Sequence, residues 1–87
     1  TQFSLKPAYP NPFNPVTTIN YAIPHDANVV IKAFDVRGKE VAELVNGQID
    51  EGYHEVVWDA SKLSSGMYFV RMTSGDYKAV QKTIFVK

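Results

Sequence analysis

The side chains able to do chemistry are few, and their spacing assembles no recognised site. His25 and His54 stand far apart, one in a turn and one in a strand-like run, with no HExxH or comparable metal-ligand interval. They read as solvated or half-buried imidazoles. Asp26, Asp35, Asp59 and Asp76 each fall beside a turn. Such acids can gather at one end of a β-sandwich and hold calcium through oxygen ligands, but aspartate also suits turns for its own backbone hydrogen bonding, and that plainer role is preferred. Ser61, Ser64 and Ser65 lie near Asp59 without a nearby histidine or the glycine pair of a nucleophile elbow, so no triad is expected. Glu51 and Glu55 would need a deep cleft to raise one carboxyl for glycoside hydrolysis, which a thin domain does not offer. No phosphate-binding GxxxxGK run occurs, and the absence of cysteine removes disulfides, thiolate nucleophiles and thiolate metal sites together. The expectation is a non-catalytic chain with no cofactor and no bound metal.

Binding chemistry is less constrained. Trp58 and the tyrosines could stack on sugar rings, as on many sandwich modules, but a core role for the same aromatics is preferred. Lys78, Lys82 and Lys87 form either a recognition patch or the charges by which an edge strand resists aggregation, and the residues alone leave both open. Nine basic and nine acidic residues give a formal net charge of +0. No overall field draws polyanions, so nucleic acid is not an expected partner. No apolar run approaches the roughly 18 residues of a transmembrane span. Thr1 to Lys6 lacks the charged and apolar regions of a signal peptide, so any export signal is expected outside that place.

The elements that would position these residues are strands. The 87 residues suffice for a single domain spanning 1–87. Residues 1–16 form a proline-rich lead-in, with three prolines between Ala8 and Pro15 that fix φ and remove donors; a stiff segment outside any ladder is expected there. Residues 17–87 read as the β-sandwich. Ile19, Tyr21 and Ile23 alternate with smaller or polar residues, and Val29, Ile31 and Ala33 share one face of a second strand. Asp35-Val36-Arg37-Gly38 suits a type I turn with its glycine at positive φ, leading into a strand from Lys39 to Val45 whose mixed pattern leaves the register open. Asn46-Gly47 is the strongest short turn dipeptide in the chain. His54, Val56 and Trp58 share a face of the next strand, Met67 to Thr73 reads as central, and a last strand runs from Tyr77 to Lys87 after a turn at Ser74-Gly75-Asp76. Leu63 to Tyr68 fits a tyrosine corner. Six strands, with a seventh short one near Phe3 to Leu5, give an all-β, immunoglobulin-like antiparallel sandwich of Greek-key type.

Composition stops explaining the sequence at its proline-rich opening. Tyr9-Pro10-Asn11-Pro12-Phe13-Asn14-Pro15, followed by Thr17, Thr18, Ile19, Tyr21 and Ile23-Pro24, resembles the start of the type A C-terminal sorting domain of the type IX secretion system. Phe34 to Val41, Val57 to Ala60 and Leu63 to Val70 are similar to that family's later elements, so the likeness covers nearly the whole chain. The immunoglobulin-like domain of flagellar hook-capping proteins is similar at the Asp-x-x-Gly hairpin and at Gly66-x-Tyr68.

The resemblance implies a sorting signal carried behind an N-terminal cargo protein. Such domains are recognised in the periplasm by components of an outer-membrane translocon and are usually removed by a sortase-like protease, the cargo then being released or attached to the cell surface. The family's glycine-x-tyrosine element and terminal basic residues correspond here to Gly66, Tyr68, Lys82 and Lys87. A start at Thr1 agrees with a domain excised from a longer parent. Joined to the strand pattern, the resemblance suggests that Val80 to Lys87 is an edge read by strand addition, with pockets for Ile84 and Val86. Pro10 to Pro15 and Trp58 are expected to serve the structure. The competing reading is an accessory spacer or carbohydrate-binding module of a secreted enzyme.

Overall fold

Period-two alternation builds the long strands other than the one from Glu40 to Ile49, and the computed structural model, which describes residues 2–87, shows where each alternating face goes. Thr1, the first residue of the expected lead-in, lies outside the described residues. The strands are β1 (Ser4–Leu5), β2 (Val16–Ile23), β3 (Ala27–Phe34), β4 (Glu40–Ile49), β5 (Gly52–Asp59), β6 (Gly66–Ser74) and β7 (Tyr77–Phe85). They form two antiparallel sheets, ordered β1-β2-β5 and β4-β3-β6-β7. The chain changes sheet after β2, after β4 and after β5, so β2 pairs with β5 and β3 with β6 across Greek-key connections.

The core lies between the sheets. β2 contributes Thr17, Ile19, Tyr21 and Ile23, β3 contributes Val29, Ile31 and Ala33, and β6 contributes Tyr68, Val70 and Met72, all buried. The β2 and β3 sets are those expected from alternation, Thr17 extending the first, whereas the one-sided burial of Tyr68, Val70 and Met72 in the central strand β6 is shown by the structure. Burial of the Tyr21 phenol pushes its pKa up by desolvation. β6 is central, with β3 on one side and β7 on the other.

β4 shows why its sequence pattern is mixed. Its register with β3 slips between Ile31 and Lys32 and again between Ala33 and Phe34, so Leu44 and Val41 stand as extra residues. Each bulge resets which face the next side chain takes. Val41, Ala42, Leu44, Val45 and Ile49 therefore all pack against the core despite their irregular spacing. The hairpin before β4 forms as expected: Gly38 N–H donates to Asp35 O at 3.0 Å, Gly38 has φ 85°, and the Asp35 carboxylate accepts from Arg37 and Lys39 N–H.

Two expectations are corrected. Asn46-Gly47 is not a turn; both residues lie inside β4, opposite Val30 and Val29. Asn-Gly favours tight hairpins between paired strands, but β4 and β5 belong to different sheets, so the chain needs a crossing there. That crossing comes at Asp50-Glu51, where the Asp26 carboxylate accepts Glu51 N–H at 2.7 Å. The last strand ends at Phe85, two residues before Lys87. The proline run lies outside the ladders, as expected, but is tied to them by isolated bridges from Tyr9 to Thr18 and from Phe13 to Phe85. Residues 2–16 pack as part of the sandwich, with Leu5, Ala8 and Phe13 in the core.

Candidate functional site

The proline-rich segment and the end of the chain meet at one end of the sandwich. Prolines remove backbone donors, so pairing around them must come from elsewhere. Asn11, flanked by Pro10 and Pro12, supplies it through a side-chain amide, which carries a donor and an acceptor as a peptide unit does. Its Nδ2 donates to Lys82 O at 3.3 Å, and its Oδ1 accepts Ile84 N–H at 3.0 Å. Two residues on, the Phe13 backbone continues the pairing: Phe13 N–H donates to Ile84 O at 2.9 Å and Phe13 O accepts Val86 N–H at 3.0 Å. Asn11 to Phe13 thus forms a strap along the far edge of β7.

The strap is anchored on both sides. The Phe13 ring is buried between Phe85, 5.2 Å away between centroids and nearly parallel, and Trp58, 5.4 Å away and tilted. Trp58 meets Tyr68 edge-on at 5.7 Å. The Thr17 hydroxyl donates to Pro10 O at 2.8 Å, and Ala60 N–H donates to Pro15 O at 2.9 Å. Asn14 is exposed. Trp58 is thereby a core residue at the centre of the strap's anchorage.

The tyrosine corner is present. Tyr68, 6% exposed, donates its hydroxyl to Ser64 O at 2.5 Å, fixing the loop before β6. Beside it lies an open depression of ≈ 620 Å³ lined by residues including Arg37, Lys62, Ser64, Gly66 and Tyr68. Lys87 closes this corner, its N–H donating to Ser65 Oγ at 2.8 Å and its ammonium to Leu63 O at 3.3 Å. Of the residues singled out in sequence, Gly66, Ile84, Val86 and Lys87 gather here at the surface, Gly66 lying opposite Phe85. Lys82 is exposed further back along β7, and Tyr68 is turned inward. Sequence reasoning missed Asn11 as a pairing residue; the signal was a lone amide between two residues unable to donate.

The other chemical groups serve the framework. His54 stacks on Tyr21 and donates Nε2–H to Asp50 O at 2.6 Å, while His25 packs edge-on against Phe3. Asp59 accepts Ser61 N–H at 2.9 Å, and this bond together with the Ser61 hydroxyl holds its carboxyl below the usual range. No group of three or more metal-ligating side chains occurs among the described residues. Trp58 and Tyr68 are buried, whereas Tyr9 and Tyr53 are exposed. Among the described residues no helix is long and apolar enough to cross a membrane.

No curated protein matches the chain. Among solved structures it is similar to PorZ of Porphyromonas gingivalis, described as an essential bacterial surface component of the type-IX secretion system, with a TM-score of 0.59 and 19% identity. That match covers 98% of this chain and 11% of PorZ, and at such identity it speaks for the fold alone. The family model for secretion system C-terminal sorting domains matches residues 7–87, which takes in the strap, the tyrosine corner and all of β7. The chain belongs to the secretion system C-terminal sorting domains, a non-catalytic family, and its role is that of a sorting signal for type IX secretion.

Proposed function

We propose that the whole of residues 1–87 acts as one unit at the C-terminal end of a larger cargo. It crosses the periplasm folded, is read there by components of the outer-membrane translocon, and is removed by a sortase-like protease as the cargo is released or attached to the surface. It performs no reaction itself. The observation that carries this reading is the family match over residues 7–87. The geometry lends it support: Gly66, Ile84, Val86 and Lys87 lie exposed at one end, where a partner can reach them. Lys82 adds a charge on the same strand, and Tyr68 contributes by holding the loop that presents Gly66.

Fusion of these residues to the C-terminus of a periplasmic reporter tests the reading in a type IX-competent bacterium and in a translocon-deficient strain. Translocon-dependent appearance of the reporter outside the cell is the expected result. Retention in the periplasm with the domain folded would instead favour the spacer or carbohydrate-binding module.

A further inference from the structure

The larger sheet has two edges, and they are closed differently. β4 is bulged twice, which twists an edge away from an incoming strand. β7 keeps an unbroken register with β6, from Gly66 opposite Phe85 to Ser74 opposite Tyr77. Because Lys82 O, Ile84 N–H and C=O, and Val86 N–H all meet the strap, the even-numbered residues of β7 direct their backbone groups away from β6. The strap covers this row only from Lys82 O onward. The N–H and C=O groups of Lys78 and Val80, and the N–H of Lys82, have no partner among the described residues.

Gln81 points the other way and ties the strand to β1, its Nε2 donating to Leu5 O at 2.8 Å, while the outward side chains of this stretch are as unengaged as its backbone. Val80 is 55% exposed, and Lys78 and Lys82 flank it on the outer face. The ion pairs among the described residues belong to Lys32, with Glu40 at 3.1 Å and Glu43 at 3.9 Å. Opposite Val80, Arg71 lies over the Phe34 ring at 4.4 Å. An unpaired backbone row is matched best by another extended backbone, and a Lys-x-Val-x-Lys face by acid, apolar and acid in turn. A second copy of β7 is a poor occupant: antiparallel pairing centred on Val80 would set Lys78 of one copy opposite Lys82 of the other, and like charges placed so are destabilising.

We propose that Lys78 to Lys82 is a strand-addition site for an extended segment of a secretion-machinery protein, in which acidic residues flank an apolar one on the outward face. The strap sets the downstream limit of this site, so Ile84 to Lys87 meets a partner through side chains and not through new backbone pairing. The identity of the partner class rests on the sorting reading.

The probe is a symmetric peptide, acetyl-Thr-Glu-Thr-Val-Thr-Glu-Thr-amide, added to the isotope-labelled chain while amide hydrogen exchange is followed by NMR. At ten times its dissociation constant it should slow exchange at Val80 N–H about 10-fold. The Lys78→Glu/Lys82→Glu variant should lose that protection and regain it with the peptide whose glutamates are replaced by lysine. Absence of protection, protection indifferent to the charge reversal, or protection that appears without peptide as protein concentration rises would each overturn the proposal, the last by making a second copy the occupant. In the reporter fusion, the folded double variant should stay in the periplasm. If wild-type and variant fusions are exported equally, the strand-addition site falls while the sorting role stands; if the wild-type fusion is retained, the sorting role falls and takes the partner with it.

Discussion

β4 and β7 both border the larger sheet, yet one is closed by its own irregularity and the other by a segment borrowed from far away in the chain. β4 carries two bulges, places Glu40 and Glu43 beside Lys32, and keeps a regular register only from Val45 to Ile49. β7 is regular along its length, and its final turn is covered only because Asn11 and Phe13 reach it from across the sequence. The difference teaches where specificity can reside. A bulge interrupts an edge where it falls, whereas a strap covers an edge as far as it extends, which leaves Lys78 to Lys82 available.

The largest expected effect comes from removing the strap's anchor. Phe13→Ala deletes a ring held between Trp58 and Phe85 and should destabilise the domain by about 3–5 kcal/mol, read from denaturant midpoints. That is a large share of what a chain of this size has in reserve. A loss below about 1 kcal/mol would mean the strap is only loosely attached.

On the β4 side the sensitive point is the hairpin. Gly38 sits at φ +85° with open space around it, so Gly38→Ala meets no clash and exposes the backbone cost alone, about 1–2 kcal/mol. A smaller and more local effect is expected for Asn11→Ala. Loss of its two bonds should cost about 1 kcal/mol and speed exchange at Ile84 N–H, while Val80 N–H is unchanged. Thr83→Val works in the opposite direction. The Thr83 hydroxyl is buried without a hydrogen-bond partner among the described residues, so its replacement by a methyl group of similar size should raise stability by up to about 1 kcal/mol. A destabilised Thr83→Val would show that this hydroxyl is engaged after all.

The parts of the fold legible in the sequence are those decided locally. Alternation grouped Ile19, Val29, Ile31 and Trp58 on the faces that prove buried, and Asp35 to Gly38 carries its own turn chemistry, so strand faces and the first hairpin could be read directly. Asn46-Gly47 misled because its preference applies to paired strands, and nothing local reveals that β4 and β5 part to different sheets. The register of β4 was hidden for a related reason: bulges insert residues without changing composition. At the candidate end of the molecule the Tyr68 corner was legible through its spacing, whereas the resemblance supplied Gly66 and Lys87 as candidates with no indication of where in the fold they meet. The strap was not. Prolines announce a stiff segment but not its neighbour, and the partner of Asn11 lies 71 residues away at Lys82.

The division of β7 into a covered and an open part is the claim on which the rest depends, and native-state amide exchange tests it most directly. The account predicts slow exchange at Ile84 and Val86, whose N–H groups the strap accepts, and fast exchange at Lys78, Val80 and Lys82. Uniformly slow exchange along the even-numbered residues would contradict it by showing no open edge, and uniformly fast exchange would contradict it by showing no strap.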